Sequence, residues 1–268
     1  MPTIRMKRKK KLRERIRGIP IAPNLVTTAS LFCGFYSIML SIHGEYLKAA
    51  WFIMGAVLFD MFDGLVARLT RSQSQFGREY DSLSDLLSFG TAPSILIYLW
   101  ALQSLDRLGW SAAFLFTACA ALRLARFNII SSATDTQKGD YVGLASTSAG
   151  ATVAAIVLFF YEFDLAPGTY PYSFLFTFYV LALLMVSPLK YRSHKDLNLR
   201  SRKPFAIMFL AILIFTLIVT HPEMMLFVGF STYALSGPAE WVLNRVRKVP
   251  AEEPALQESP TGPGEGNP

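Results

Sequence analysis

The sequence has little of what soluble enzymes commonly use for chemistry. It holds two cysteines, Cys33 and Cys119, both inside apolar runs, with neither metal-ligand spacing nor a disulfide framework. They read as small buried or lipid-facing residues. Its three histidines, His43, His194 and His221, are scattered over loop positions, which excludes a histidine triad or metal site assembled by spacing. No internal repeat stands out, so solenoid architectures and paired-repeat carriers have no support. Charge is sparse as well, at 17% of residues, and it is clustered.

Apolar residue is abundant. Hydrophobic residues make up 52% of the 268, phenylalanine alone accounts for 21, and the mean hydropathy is +0.35. Soluble domains rarely carry that much, and the combination points to a membrane protein. Eight apolar segments fall near 24–42, 47–69, 84–104, 109–128, 146–162, 171–189, 204–220 and 224–243. Each approaches the ~20 residues a helix needs to cross a bilayer. They are too continuous for barrel strands, so the expected fold is an all-α polytopic helix bundle of about eight spans.

Charge placement supports that count. Of the 26 basic residues, only Lys48 and Arg107 fall in loops on one side; the rest lie in the chain ends and the loops of the other side. The positive-inside rule then puts both termini in the cytoplasm. Nine basic residues between Arg5 and Arg17 read as a topology anchor that also touches anionic lipid. Nothing beside them resembles a nucleic-acid fold, so no nucleic-acid partner is expected. The apolar run that follows continues into a full span, so no signal cleavage is expected. The expected organisation is a basic cytoplasmic segment at 1–20, a transmembrane domain at 21–248, and a Pro-, Gly- and Glu-rich cytoplasmic tail at 249–268 with too little apolar residue to fold.

Four acids interrupt this pattern. Asp60 and Asp63 are three residues apart in the second segment and share a helix face; Asp81 and Asp85 are four apart at the start of the third and share another. The short connection makes the two helices antiparallel neighbours, so the carboxylate pairs can converge. Arg68 marks the cytoplasmic end of the second segment, which puts Asp63 roughly 8 Å and Asp60 roughly 12 Å below it. Four uncompensated charges at mid-membrane would cost roughly 10–14 kcal/mol. Two divalent cations would cancel them, and hard oxygen ligands favour Mg²⁺ or Mn²⁺. The alternative, structural acids paired with Arg68, Arg71 or Arg78, does not account for four acids at this spacing with Gly64 and Gly77 interleaved. Gly64 serves helix packing or lets a bulky ligand approach the backbone.

The whole stretch reads Asp-x2-Asp-Gly-x2-Ala-Arg-x8-Gly-x3-Asp-x3-Asp from Asp60 to Asp85, and in this it resembles the CDP-alcohol phosphatidyltransferases, with every defined position filled. The resemblance implies that Asp60, Asp63 and Asp81 bind metal with help from Asp85. It implies that Gly64, Ala67, Arg68 and Gly77 border the CDP moiety, and that Asp85 is the general base. Flanking segments look like those of the membrane-embedded phosphatidylserine synthases in that family: Pro23-Asn24-Leu25-Val26-Thr27, Leu122-Arg123-Leu124-Ala125-Arg126-Phe127-Asn128, Tyr141-Val142-Gly143-Leu144, and Ser187-Pro188-Leu189-Lys190-Tyr191-Arg192-Ser193. One departure is Ala145-Ser146-Thr147, where such synthases often have prolines.

Arg123 and Arg126 lie one turn apart at the cytoplasmic end of the fourth segment. They suit a phosphate or an amino-acid carboxylate, or are plain positive-inside anchors. Asn24 and Thr27 either contact CDP-diacylglycerol or cap their helix. The implied activity is transfer of the phosphatidyl group from CDP-diacylglycerol to L-serine within membrane lipid, at a bacterial inner membrane, with a homodimer carried as an expectation. The rival readings are the same chemistry on glycerol phosphate or an inositol phosphate, and a cation transporter.

Overall fold

A computed structural model describes residues 21–70, 75–133, 141–191, 216, 217 and 219–247. The basic N-terminal run, Arg71, Lys138, most of the expected segment 204–220 and the 249–268 tail lie outside the described residues. The described residues are helical apart from short connecting loops and one two-residue ladder. Helix α1 is Ile21–Ile42 and α2 is Tyr46–Thr70. Helix α3 (Gln75–Asp85) runs into a π-helical turn (Leu86–Thr91), α4 (Ala92–Ile97), a second π turn (Tyr98–Leu102) and a 3₁₀ turn ending at Leu105. Helix α5 (Asp106–Ala133), α6 (Ser146–Glu162), α7 (Pro171–Val186) and α8 (Pro222–Arg247) follow, with β1 (Tyr141–Val142) and β2 (Lys190–Tyr191) pairing antiparallel.

Seven of the eight expected apolar segments coincide with helical stretches. The third begins earlier than its apolar run suggested, at Gln75, so Asp81 and Asp85 lie in the second half of α3 and not at a helix start. The polar residues before the run form a helix because they are amphipathic, with Phe76 and Tyr80 stacked at 6.0 Å on one side. Two stretches, Asn24–Ile42 and Gln75–Ile130, are long and apolar enough to cross a bilayer; Ser146–Glu162 and Pro171–Val186 are shorter apolar helices. Helix α2 also carries Lys48, Asp60 and Asp63, which interrupt its apolar run.

Local chemistry ends the helices. Gly44, with φ +80°, closes α1: its N–H donates to Ser41 O at 3.1 Å and that of Glu45 to Leu40 O at 2.9 Å, the paired bonds of a Schellman stop. Asp164, with φ 49°, closes α6 in the same way through Tyr161 O and Leu165 N–H to Phe160 O.

Small residues let the bundle close. Helix α1 packs along α2, and α6 lies between α2 and α8. A Cβ on Gly150 of α6 would sit 2.8 Å from Phe89 O, and one on Gly34 of α1 would sit 2.6 Å from Ser88 Cα, so both helices meet the π turn backbone to backbone. Phe116 and Phe178 stack at 4.3 Å between α5 and α7. Outward, Phe114 and Phe176 are 69% and 71% exposed, the surface a helix presents to lipid.

Tyr191 joins β2 to α8. Pro238 lacks the N–H that Ala234 O would accept from within the helix, and Tyr191 Oη donates to that carbonyl at 3.0 Å instead. Its ring fills the space beside Gly237. Burial, with Tyr233 beside it, pushes the Tyr191 hydroxyl up to about 12, so it remains a donor.

Candidate active site

The i, i+3 spacing on α2 and the i, i+4 spacing on α3 turn the acids toward one another, as their periodicity requires. Asp60, Asp81 and Asp85 each offer an oxygen within 4.8 Å of the others. Asp63, buried, accepts a hydrogen bond from Thr27 of α1, and its charge acts on Asp81. Two full charges 4.8 Å apart repel by about 3–4 kcal/mol at an effective dielectric near 20. Four acids this close require protons or cations among them. The donor set is all carboxylate oxygen, which fits a hard divalent cation and gives a soft metal no sulfur or nitrogen.

Hydroxyl-to-backbone bonds hold α1 against the acid-bearing helices. Ser84 Oγ donates to Thr27 O at 3.2 Å, Ser88 Oγ to Ser30 O at 3.1 Å, and Ser30 Oγ to Ala56 O at 3.2 Å. Thr28 Oγ1 and Tyr80 Oη lie 2.9 Å apart. Asn24 and Thr27 both lie inside α1, which rules out the capping alternative; the Asn24 carbonyl accepts from Thr28 Oγ1 at 2.6 Å. The Thr27 hydroxyl is engaged by Asp63.

On the other side, Arg123 of α5 is half-buried. Its Nη1 donates to the fully buried Ser146 at 2.8 Å, and its charge acts on both Asp60 and Asp85. Arg126, one turn on, is exposed, and among the described residues no contact joins it to the acids. Asn128 faces α3, exchanging hydrogen bonds with Ser82 at 3.0 and 3.3 Å, so it ties α5 to the acid-bearing helix. Gly64 is exposed and a Cβ there would meet nothing within 4 Å, leaving room at the α2 surface; Gly77 is half-buried on α3. Ala67 and Arg68 belong to the last turns of α2, with side chains outside the described ones.

Sequence reasoning passed over Ser146 and Thr147, noting them only as a departure from proline. Thr147 Oγ1 donates to Asp60 Oδ2 at 3.3 Å. Two hydroxyl residues at the start of an apolar segment were the available signal.

A family model described as CDP-alcohol phosphatidyltransferase matches residues 20–237. A CDP-diacylglycerol–serine O-phosphatidyltransferase of Helicobacter pylori is 32% identical over 235 residues, covering 87% of this chain and 96% of that one. One of the same name from Bacillus subtilis is 33% identical over 182 residues, 67% of this chain and 96% of the relative. An archaetidylserine synthase of Methanothermobacter thermautotrophicus is 33% identical over 180 residues, 66% of this chain and 72% of the relative. With Asp60, Asp81 and Asp85 of the signature drawn together and a match running from the first helix into the last, this chain belongs to the CDP-alcohol phosphatidyltransferase family of membrane-embedded enzymes.

Proposed function

We propose that the protein transfers the phosphatidyl group of CDP-diacylglycerol to the hydroxyl of L-serine, forming phosphatidylserine and CMP. The observation that carries this reading is the convergence of Asp60, Asp81 and Asp85, with Asp63 alongside. The acceptor rests on the relatives: two bacterial ones and an archaeal one carry serine in their names, although the lipid part differs.

The four acids are the residues that would hold two divalent cations, Mg²⁺ or Mn²⁺. When bound, such ions neutralise the acids and polarise phosphoryl oxygens. The side chains supply the rest. Asp85 takes the proton from the serine hydroxyl. The hydroxyl oxygen forms a bond to the phosphorus nearer the diacylglycerol, in line with the bond to CMP, which breaks as CMP leaves. Arg123, held by Ser146, orients the serine carboxylate. Gly64, Ala67, Arg68 and Gly77 border the nucleotide. Asn24 and Thr27 belong to the donor side, Thr27 acting through Asp63. Arg126, exposed one turn from Arg123, attracts the anionic groups of the substrates.

The 21–248 domain crosses the cytoplasmic membrane eight times, with both termini and the acids on the cytoplasmic side. The distribution of the 26 basic residues supports that arrangement. Purified protein given CDP-diacylglycerol and Mn²⁺ should release CMP with L-serine and not with glycerol 3-phosphate, inositol or inositol phosphate. Release with one of the others would replace the acceptor, and cation flux into liposomes without CMP release would replace the enzyme class.

A further inference from the structure

Thr147 is the second residue of α6, at a helix start whose N-cap, Ala145, makes no side-chain capping bond. A threonine in a first turn commonly bonds its own backbone. Here its hydroxyl crosses to α2 and donates to Asp60 Oδ2, a residue 87 positions away. On the opposite flank, Thr27 of α1 makes the matching bond to Asp63. Each acid of the α2 pair is therefore held by one threonine, and the two threonines come from helices on either side.

The turn bearing Thr147 is itself fixed. Tyr141 pairs with Tyr191 and Val142 with Lys190 in the β1–β2 ladder. Gly143 adopts φ +84°, and a Cβ there would lie 3.2 Å from Ser187 O and closer still to Met185 O. Its N–H donates to Leu189 O at 2.8 Å, and that of Leu144 to Leu184 O at 3.0 Å. Ser146, next in line, is fully buried and takes the Arg123 guanidinium. The Gly143-Leu144 and Ser187–Tyr191 segments, far apart in sequence, thus meet to hold the entry into α6. A donor on so constrained a turn can set the orientation of a carboxylate, whereas a mobile one could not.

We propose that Thr147 is a positioning residue: its hydroxyl orients the Asp60 carboxylate for a divalent cation, and cation affinity depends on that hydroxyl. The inference rests on reading the acids as a divalent-cation site. It goes beyond the signature, because residue 147 lies outside it and is placed only by the packing of α6 on α2.

Full-length protein in detergent is titrated with Mn²⁺, following free Mn²⁺ by electron paramagnetic resonance without substrate. Thr147→Val and Thr147→Ala, which lack the hydroxyl but differ in size, should each weaken Mn²⁺ binding by about tenfold or more, whereas Thr147→Ser should bind within about twofold of wild type. At saturating Mn²⁺ the serine KM should stay near that of wild type. A merely structural strut would lower thermal stability and leave Mn²⁺ affinity unchanged. Wild-type affinity in either hydroxyl-free variant overturns the proposal, as does equal weakening in Thr147→Ser. A wild-type protein that binds no Mn²⁺ overturns it too. If the protein binds Mn²⁺ with this hydroxyl dependence but makes no phosphatidylserine, the positioning role stands and the proposed activity fails.

Discussion

Thr27 of α1 donates its hydroxyl to the carboxylate of Asp63 on α2, across 36 residues of sequence, and the acceptor is buried. Replacing it leaves a buried carboxylate oxygen without that donor, a loss of about 1–3 kcal/mol. Thr27→Val should therefore lower the thermal midpoint and weaken Mn²⁺ binding, with Thr27→Ser restoring both. If the donor lipid were instead held directly by this hydroxyl, the CDP-diacylglycerol KM would rise while Mn²⁺ affinity held. Titration and kinetics on one preparation separate the two.

Asp85→Asn keeps an oxygen at the three-acid cluster and removes the proton acceptor. Turnover should fall by about 10²–10⁴-fold while most Mn²⁺ and CDP-lipid affinity is kept. The check is kcat across pH beside a binding isotherm. Near wild-type turnover at every pH would remove Asp85 from the role of base.

The two arginines of α5 should behave differently. Arg123 is half-buried, bonded to Ser146 and electrostatically coupled to Asp60 and Asp85, whereas Arg126 is exposed. Arg123→Ala should raise the serine KM by about tenfold or more, since charged hydrogen bonds contribute ~1.5–3 kcal/mol. Arg126→Ala should move it less, and more in low salt than in high, as expected of an exposed charge. Varying each substrate in turn decides this; equal effects from both arginines would contradict the assignment.

Tyr191→Phe removes the donor that satisfies Ala234 O, the carbonyl that Pro238 leaves unpaired in α8. The cost should be about 1–3 kcal/mol, read as a lower thermal midpoint with Mn²⁺ affinity unchanged. The hydroxyl is raised from 10.0 to about 12 in the folded protein. Its contribution is therefore fully present below pH 10 and is lost as the pH rises through about 12, so wild type and variant should converge at that alkaline limit. A gap that does not narrow there would mean the hydroxyl's proton is not what matters.

Much of the molecule was legible in the linear chain because its signals are local. Apolar runs near bilayer length mark seven of the helical stretches, since lipid forces the backbone to satisfy itself within each segment. Asp60/Asp63 and Asp81/Asp85 announce shared faces through spacing alone. The start of α3 was misjudged because hydropathy does not register a polar, amphipathic turn such as Gln75–Tyr80. The bond between Asn128 and Ser82, 46 residues away, has no local signal.

The sequence by itself determined the helical class, the clustering of basic charge and the identity of the four acids. Those follow from residue type, period and spacing, which do not depend on how helices pack. Only the tertiary structure decided which hydroxyl serves which carboxylate, which arginine stands by the acids, and that Tyr191 satisfies a carbonyl of α8. Hydrogen bonds act over about 3 Å, whereas these partners are 36, 87, 23 and 43 residues apart. The close packing that brings them together is seen where Gly34 and Gly150 let α1 and α6 reach the π turn after Asp85, and where Gly237 leaves room for the Tyr191 ring.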